Sequence, residues 1–176
     1  DHTPGYGSAA KYIATSTKAV IRDGLGFSYK KQQVIIIEIM GRNAGWLTGA
    51  AALSRGEDCD GPDLIYLPEV AFDIEKFLVK VKDLLKKKSS VVIAVSEGIR
   101  LADGRYVCEL GSSGDYVDAF GHKQLAGTAT YLANFLAAEC GCKTRAVELS
   151  TLQRSASHMA SRVDIDEAFM VDGAAV

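Results

Sequence analysis

The sequence predicts an α/β protein of three layers (α/β/α), in which a mostly parallel sheet lies between helices. Two observations lead to this class. Four short runs of β-branched and other apolar residues alternate with longer segments whose apolar residues recur about every 3.6 positions. The segments between the runs are long enough to hold helices, so successive strands are expected to be parallel and joined by right-handed crossovers.

The composition indicates an ordinary globular domain. The 176 residues are 48% hydrophobic and 24% charged, with a formal net charge of −2 at pH 7. A chain of this length buries about 70% of its unfolded surface, which is enough for a proper core. The near balance of 20 basic and 22 acidic residues gives no field that would hold a nucleic acid, and no apolar run approaches the ~20 residues of a membrane span. We expect a single domain over residues 1–176 with no nucleic-acid or membrane partner.

The elements of the first half follow in order along the chain. Residues 8–22 are predicted to form a helix after a turn-rich start. The β-branched run 34–39 is predicted to be a buried strand, and the small residues 43–54 a helix. A second strand is predicted over residues 63–67, where Pro68 closes it.

The clearest helix is predicted over residues 73–87. Asp73 is placed to cap its first turn, and a run of three lysines lies at the negative end of its dipole. The lysine run could hold a ligand, but its position favours a solvated helix end. The apolar residues fall on one face: Ile74, Phe77, Leu78, Val81, Leu84 and Leu85.

The second half predicts two more strands and two more helices. The segments are a strand over residues 91–95, a hairpin turn at 102–105, a helix over 128–140, a strand over 144–149 and a final helix over 157–170. The four cysteines do not have the spacing of a zinc site and are predicted to be reduced thiols. Reduced thiols fit a cytoplasmic protein.

Glycine and charged residues cluster where the predicted strands end, and ligands of parallel sheets bind at the carboxyl ends of the strands. Gly41 and Arg42 follow the first strand, and Glu97 follows the third. Arg145 lies near the start of the fourth strand and Arg154 beyond its end. Each residue alone is also explained by an ordinary turn, a solvated loop or a surface arginine. Together they suit a phosphorylated sugar, with arginines for the phosphate and a carboxylate for the hydroxyls.

The order and spacing of these motifs resemble the phosphofructokinase family over nearly the whole sequence. The resemblance rests on residues 1–10 (DHTPGYGSAA), 38–46 (EIMGRNAGW), 96–98 (SEG) and 152–154 (LQR). It implies the family's three-layer fold and its activity, phosphoryl transfer to fructose 6-phosphate. Residues 118–125 belong to an insertion similar to that of the pyrophosphate-using branch.

The resemblance also implies roles for particular residues. Met40, Gly41 and Arg42 are expected to contact the sugar phosphate, Glu97 to hold the sugar hydroxyls, and Arg154 to bind the 6-phosphate. No residue of this chain is implied as the catalytic base.

Several positions bear on the family's shared site between subunits. Arg145 is expected to act across a subunit interface on the site of a neighbour. Thr151 stands where many relatives have a histidine or tyrosine that contacts the sugar phosphate. Gln33 takes the approximate place of a second interface arginine, and Ser155 and Ala156 replace a common pair of glycines.

The resemblance further implies that the chain is the sugar-phosphate-binding half of a longer enzyme. The glycine-rich loop that holds the phosphoryl donor and Mg²⁺, and the aspartate that takes the proton of the attacking hydroxyl, are expected before Asp1. The donor is expected to be pyrophosphate or ATP, the enzyme a homodimer or homotetramer, and this half alone inactive. The alternative is a non-catalytic regulatory or effector-binding half of a phosphofructokinase-like protein.

Overall fold

A parallel sheet forms the middle layer of the protein. The computed structural model describes residues 5–26, 31–111 and 127–175. Within these ranges the sheet has four strands: β1 (Gln33–Ile39), β2 (Leu64–Tyr66), β3 (Ser90–Ser96) and β4 (Lys143–Glu148). Their order across the sheet is β2-β3-β1-β4, and every neighbouring pair is parallel. The predicted α/β class and its parallel sheet are confirmed.

Helices connect the strands and cover the sheet. The described α-helices are α1 (Tyr6–Gly26), α2 (Trp46–Gly49), α3 (Ile74–Leu85), α4 (Thr128–Cys140), α5 (Leu152–Ser155) and α6 (Arg162–Ala175). Short 3₁₀ turns lie at Ala50–Ser54, Val107–Leu110 and Ser157–Met159.

Strand β1 lies at the centre of the fold, and all seven of its residues are buried. Successive side chains of a strand point to opposite faces, so an unbroken run of apolar residues supplies two cores. Val34 and Ile36 pack with α3 and α4 on one face, whereas Ile35 and Ile37 pack with α1 and the 3₁₀ turn after α2 on the other. Two apolar cores on opposite faces of one sheet are the three-layer arrangement that the sequence predicts.

Helix α3 has the predicted cap and apolar face. The Lys76 N–H donates to Asp73 Oδ1 at 3.0 Å, which satisfies one of the amides that a helix start leaves open. Phe77 and Val81 are fully buried. The Phe77 ring lies 5.5 Å from the Tyr66 ring and 5.3 Å from the Phe72 ring, so an aromatic cluster fastens α3 to the edge of the sheet.

Two predicted helices are wrong at their starts. The first begins at Trp46 rather than at residue 43, because the Gly45 N–H donates to Glu69 Oε1 at 2.6 Å and the preceding residues form a loop. The last α-helix begins at Arg162, because a 3₁₀ turn and the extended Ala160 precede it. At that point the chain is held to α1: the Ser161 N–H donates to Ser8 Oγ, which in turn donates to Asp164.

The remaining structural predictions concern the turn, the cysteines and the insertion. The turn at residues 102–105 is present, with the Leu101 N–H donating to the Arg105 carbonyl at 2.9 Å. All four cysteines are free thiols. The insertion at 118–125 lies outside the described residues. None of the helices in the described ranges combines the length and the apolar character of a membrane span.

Candidate functional site

The carboxyl ends of β1, β3 and β4 lie side by side and bring most of the predicted site residues together. Ile39 at the end of β1 pairs with Ser96 at the end of β3, and Glu38 pairs with Glu148 at the end of β4. The loop after β1, the Glu97 turn after β3 and the turn that leads into α5 therefore start from one edge of the sheet.

Side chains from the neighbouring strand ends hold the backbone of Met40 and Gly41. Gln153 Oε1 accepts the Met40 N–H at 3.0 Å, and Gln153 Nε2 donates to the Met40 carbonyl at 3.5 Å. Glu97 Oε1 accepts the Gly41 N–H at 3.0 Å, and the Ser96 hydroxyl donates to the Gly41 carbonyl at 2.5 Å. Both peptide groups are thus satisfied although the chain has left the sheet.

Two glycines allow close backbone contacts here: Gly41 within the loop after β1, and Gly98 between that loop and the turn after β3. Gly41 has φ +149°, and a Cβ there would lie 2.8 Å from the Ala44 carbonyl oxygen. A Cβ on Gly98 would lie 1.9 Å from the Arg42 carbonyl oxygen, a distance that no side chain can accept. The glycines of the Met-Gly-Arg and Glu-Gly motifs therefore have a steric reason to be glycine.

Glu97 and Arg42 share an electrostatic environment. Burial raises the pKa of the Glu97 carboxyl above its usual value, while the Gly41 N–H and the Arg42 guanidinium act in the opposite direction. A half-buried carboxylate that is oriented by a backbone amide is suited to accept hydroxyl donors from a ligand. The carboxylate and the cation come from different strands, as the spacing of the motifs predicts.

Arg154 and Met40 line one cleft of about 570 Å³. Gln153 and Leu47 also line it, together with the first residues of α1. Arg154 is exposed on α5 and Thr151 precedes that helix, with its carbonyl accepting the Arg154 N–H at 3.2 Å. An arginine at the wall of a cleft is suited to bind a phosphate group through two parallel hydrogen bonds.

Two of the residues singled out from the sequence lie away from this edge. Arg145 is in the middle of β4, where it pairs with Ile35, and it lines a separate cavity of about 270 Å³ with Asp23 and Val147. Gln33 is buried at the start of β1, and its amide donates to the Gly24 carbonyl at 2.5 Å and to Ser90 Oγ at 3.2 Å. Gln33 thus ties α1 to β3 at the amino end of the sheet.

Glu38 is a further residue at this edge that the sequence does not predict as a site residue, although a carboxylate within a β-branched run is a usable signal. Its side chain is 5% exposed, and the Ala129 N–H at the start of α4 donates to Oε2 at 2.7 Å. Burial raises the Glu38 pKa to about 7 against that hydrogen bond, and the nearby Glu148 and Glu97 add to the rise. The Thr128 hydroxyl donates to the Glu97 carbonyl at 3.2 Å, so the start of α4 contacts both glutamates.

Gln153 is also absent from the sequence-based set, because a glutamine beside an arginine has no distinctive pattern.

The described ranges contain no group of three or more histidine, cysteine, aspartate and glutamate side chains that could hold a metal ion.

Fold and site together define an α/β domain with two arginines, a carboxylate and a cleft at the carboxyl edge of a parallel sheet, which is the edge where such sheets bind ligands. A sequence model of the phosphofructokinase family matches residues 1–161, and the chain belongs to that family.

Relatives of this family match the chain along its full length. It is 40% identical over 176 residues to the pyrophosphate–fructose 6-phosphate 1-phosphotransferase of Halomonas elongata, and 42% identical to that of Xanthomonas campestris. It spans 41% of the length of each of these relatives. The crystal structure of a pyrophosphate-dependent phosphofructokinase from Nitrosospira multiformis has a TM-score of 0.75 at 32% identity, over 95% of this chain and 37% of that one.

Replacing Gly98 by alanine is expected to lower the free energy of unfolding by about 3 kcal/mol, because the Arg42 carbonyl would have to move. Gly49→Ala is the matched control: Gly49 is helical and a Cβ there meets nothing within 4 Å. That control should be unchanged or more stable by up to about 1 kcal/mol, because alanine is the better helix former. Urea unfolding measures both, and equal stability of the two variants would contradict the close approach of the loops.

Replacing Glu38 by glutamine is expected to change how stability depends on pH. The folded protein keeps the Glu38 proton up to about pH 7, whereas the unfolded chain releases it near 4.5. The stability that this group contributes is therefore complete below pH 4.5 and is lost as the pH rises to 7, by about 3 kcal/mol in all. The measurement is the difference in unfolding free energy between the two proteins across this range. A difference that does not vary with pH would refute the assignment.

Proposed function

We propose that the protein containing this chain transfers a phosphoryl group from pyrophosphate to the 1-hydroxyl of fructose 6-phosphate and forms fructose 1,6-bisphosphate. The chain described here would hold the sugar phosphate. One observation carries the proposal: Arg42, Glu97 and the cleft of Met40 and Arg154 share one sheet edge, in a chain 40% identical to an enzyme named for this reaction.

The residues of this chain would act by positioning. Arg154 would bind the 6-phosphate through its planar guanidinium, and Arg42 would add positive charge beside the loop after β1. Glu97 would accept hydrogen bonds from the sugar hydroxyls and fix the orientation of the ring. Phosphoryl transfer depends mainly on such alignment and on charge stabilisation, so a half that aligns the acceptor serves the reaction without touching the transferred group.

The donor, the base and Mg²⁺ would belong to other parts of the protein. The described residues lack a cluster that fits a divalent cation, so no step of the mechanism is assigned to a metal here. Pyrophosphate is favoured over ATP as the donor because both relatives described above are named for pyrophosphate. We further propose a cytoplasmic homodimer or homotetramer, in which Arg145 of the edge strand β4 reaches the site of a neighbour.

The decisive experiment compares the full-length protein with this chain alone. The full-length protein is expected to form fructose 1,6-bisphosphate from fructose 6-phosphate and pyrophosphate, and residues 1–176 alone are expected to give no turnover with either pyrophosphate or ATP. If the full-length protein binds fructose 6-phosphate but does not turn it over, the proposed activity is refuted and the non-catalytic, effector-binding alternative is favoured. Equal turnover by the two would refute the division of labour.

Replacing Arg154 by alanine in the full-length protein is expected to raise the KM for fructose 6-phosphate about thirty- to several-hundredfold, or roughly 2–4 kcal/mol. The KM for the donor should change little, because the donor would bind outside this chain. Arg154→Lys should recover only part of the loss, since it keeps the charge without the planar fork.

The control for Arg154 is Arg22→Ala. Arg22 lies on α1, beside the residues that precede and begin β3, and pairs with Asp58 at the amino end of the sheet. Steady-state kinetics with each substrate titrated separately should leave both KM values of this variant unchanged. A raised donor KM with an unchanged sugar-phosphate KM in Arg154→Ala would show that Arg154 binds the donor and not the sugar phosphate.

A further inference from the structure

We propose that Gln153 is a positioning residue of the sugar-phosphate site. Its buried side chain fastens the loop after β1 to the turn after β4, so that Met40 and Arg154 face one cleft. This inference rests on the proposed function and deepens it, because it assigns the relative placement of two binding residues to a third that need not touch the ligand.

The Met40 peptide groups need partners that the neighbouring strands do not supply. The pairing of β1 with β3 ends at Ile39, and its pairing with β4 ends at Glu38. Neither neighbouring strand therefore continues its ladder to Met40. A primary amide carries both an acceptor and a donor, and Gln153 uses them on the N–H and the carbonyl of Met40.

Helix α5 depends on the contact between Gln153 and Met40. The helix has four residues, which is too short to be stable through its own hydrogen bonds. It begins two residues after Ser150, which has φ +42°, a left-handed conformation that is unusual for a residue other than glycine. Gln153 is the buried residue of α5, with 3% of its surface exposed, while Leu152 and Arg154 are exposed.

Gln153 links the position of Arg154 to that of Met40. Arg154 follows Gln153 directly in the chain. The contacts of the Gln153 side chain therefore determine the backbone position from which the Arg154 side chain extends. The same contacts determine where the backbone of Met40 lies. The loss of Gln153 should therefore weaken sugar-phosphate binding through geometry, while every charge of the site is retained.

The test uses the full-length protein with Gln153→Met, which keeps the side-chain length and removes both hydrogen bonds. We expect the KM for fructose 6-phosphate to rise at least tenfold and the KM for pyrophosphate to stay within twofold. The control is Val81→Ala, which opens a cavity in the core beneath α3 and should leave both KM values unchanged. Equal increases of the two KM values in Gln153→Met, or no increase, would overturn the proposal.

A second variant, Gln153→Glu, separates positioning from simple loss of structure. The carboxylate still accepts the Met40 N–H but donates to the Met40 carbonyl only when it is protonated. The ratio of its sugar-phosphate KM to that of the unmodified protein should therefore fall as the pH is lowered, and the ionisation of the substrate cancels in this ratio. A ratio that does not vary with pH would count against the two-bond contact.

A measurement without turnover keeps the proposal separate from the proposed function. In Gln153→Met, hydrogen–deuterium exchange of the peptide containing Met40 should be at least tenfold faster than in the unmodified protein and in Val81→Ala. If the unmodified full-length protein is inactive, the proposed function is refuted. Faster exchange in Gln153→Met would support the contact even then. Unchanged exchange would overturn the inference whatever the activity.

Discussion

The site depends on one constraint, which is the need of the Met40 and Gly41 peptide groups for partners after β1 leaves the sheet. Three side chains meet that need: Gln153 from α5, Glu97 from the turn after β3, and Ser96 from the end of β3. A buried peptide group without a partner costs about 1–3 kcal/mol, so these contacts are strongly favoured. They bring three chain segments together at the carboxyl end of β1, and two of the residues involved, Met40 and Gln153, line the cleft.

The two ends of the sheet use their polar side chains differently. At the amino end Gln33 ties α1 to β3, and Lys88 pairs with Asp63 at 2.6 Å, so these groups stabilise the fold. At the carboxyl end, polar side chains hold loops, and Arg154 remains exposed at the wall of the cleft. The buried strand β1 runs between these two ends, from Gln33 at the amino end to the loop of Met40 and Gly41 at the carboxyl end.

The sequence predicts the fold better than the site, for physical reasons. The runs 34–39 and 91–95 and the face of α3 follow from apolar period, which local residues determine. The strand-end rule also brings Gly41 and Glu97 correctly into contact. The late start of α6 does not follow from local sequence, because it depends on contacts with Ser8, some 150 residues earlier. The same holds for Gln153, because its contact is with Met40, 113 residues away.

Glu38 places a cost in stability inside the sheet near the candidate site. An apolar residue would satisfy the core at that position without the cost of a buried carboxyl, which grows as the pH rises to neutrality. The carboxylate does what an apolar residue could not: it accepts the Ala129 N–H and so fixes the start of α4. Thr128 at the same helix start contacts the Glu97 carbonyl. The cost of burying Glu38 is therefore coupled to the placement of Glu97, the carboxylate that the proposed reaction needs in a defined position.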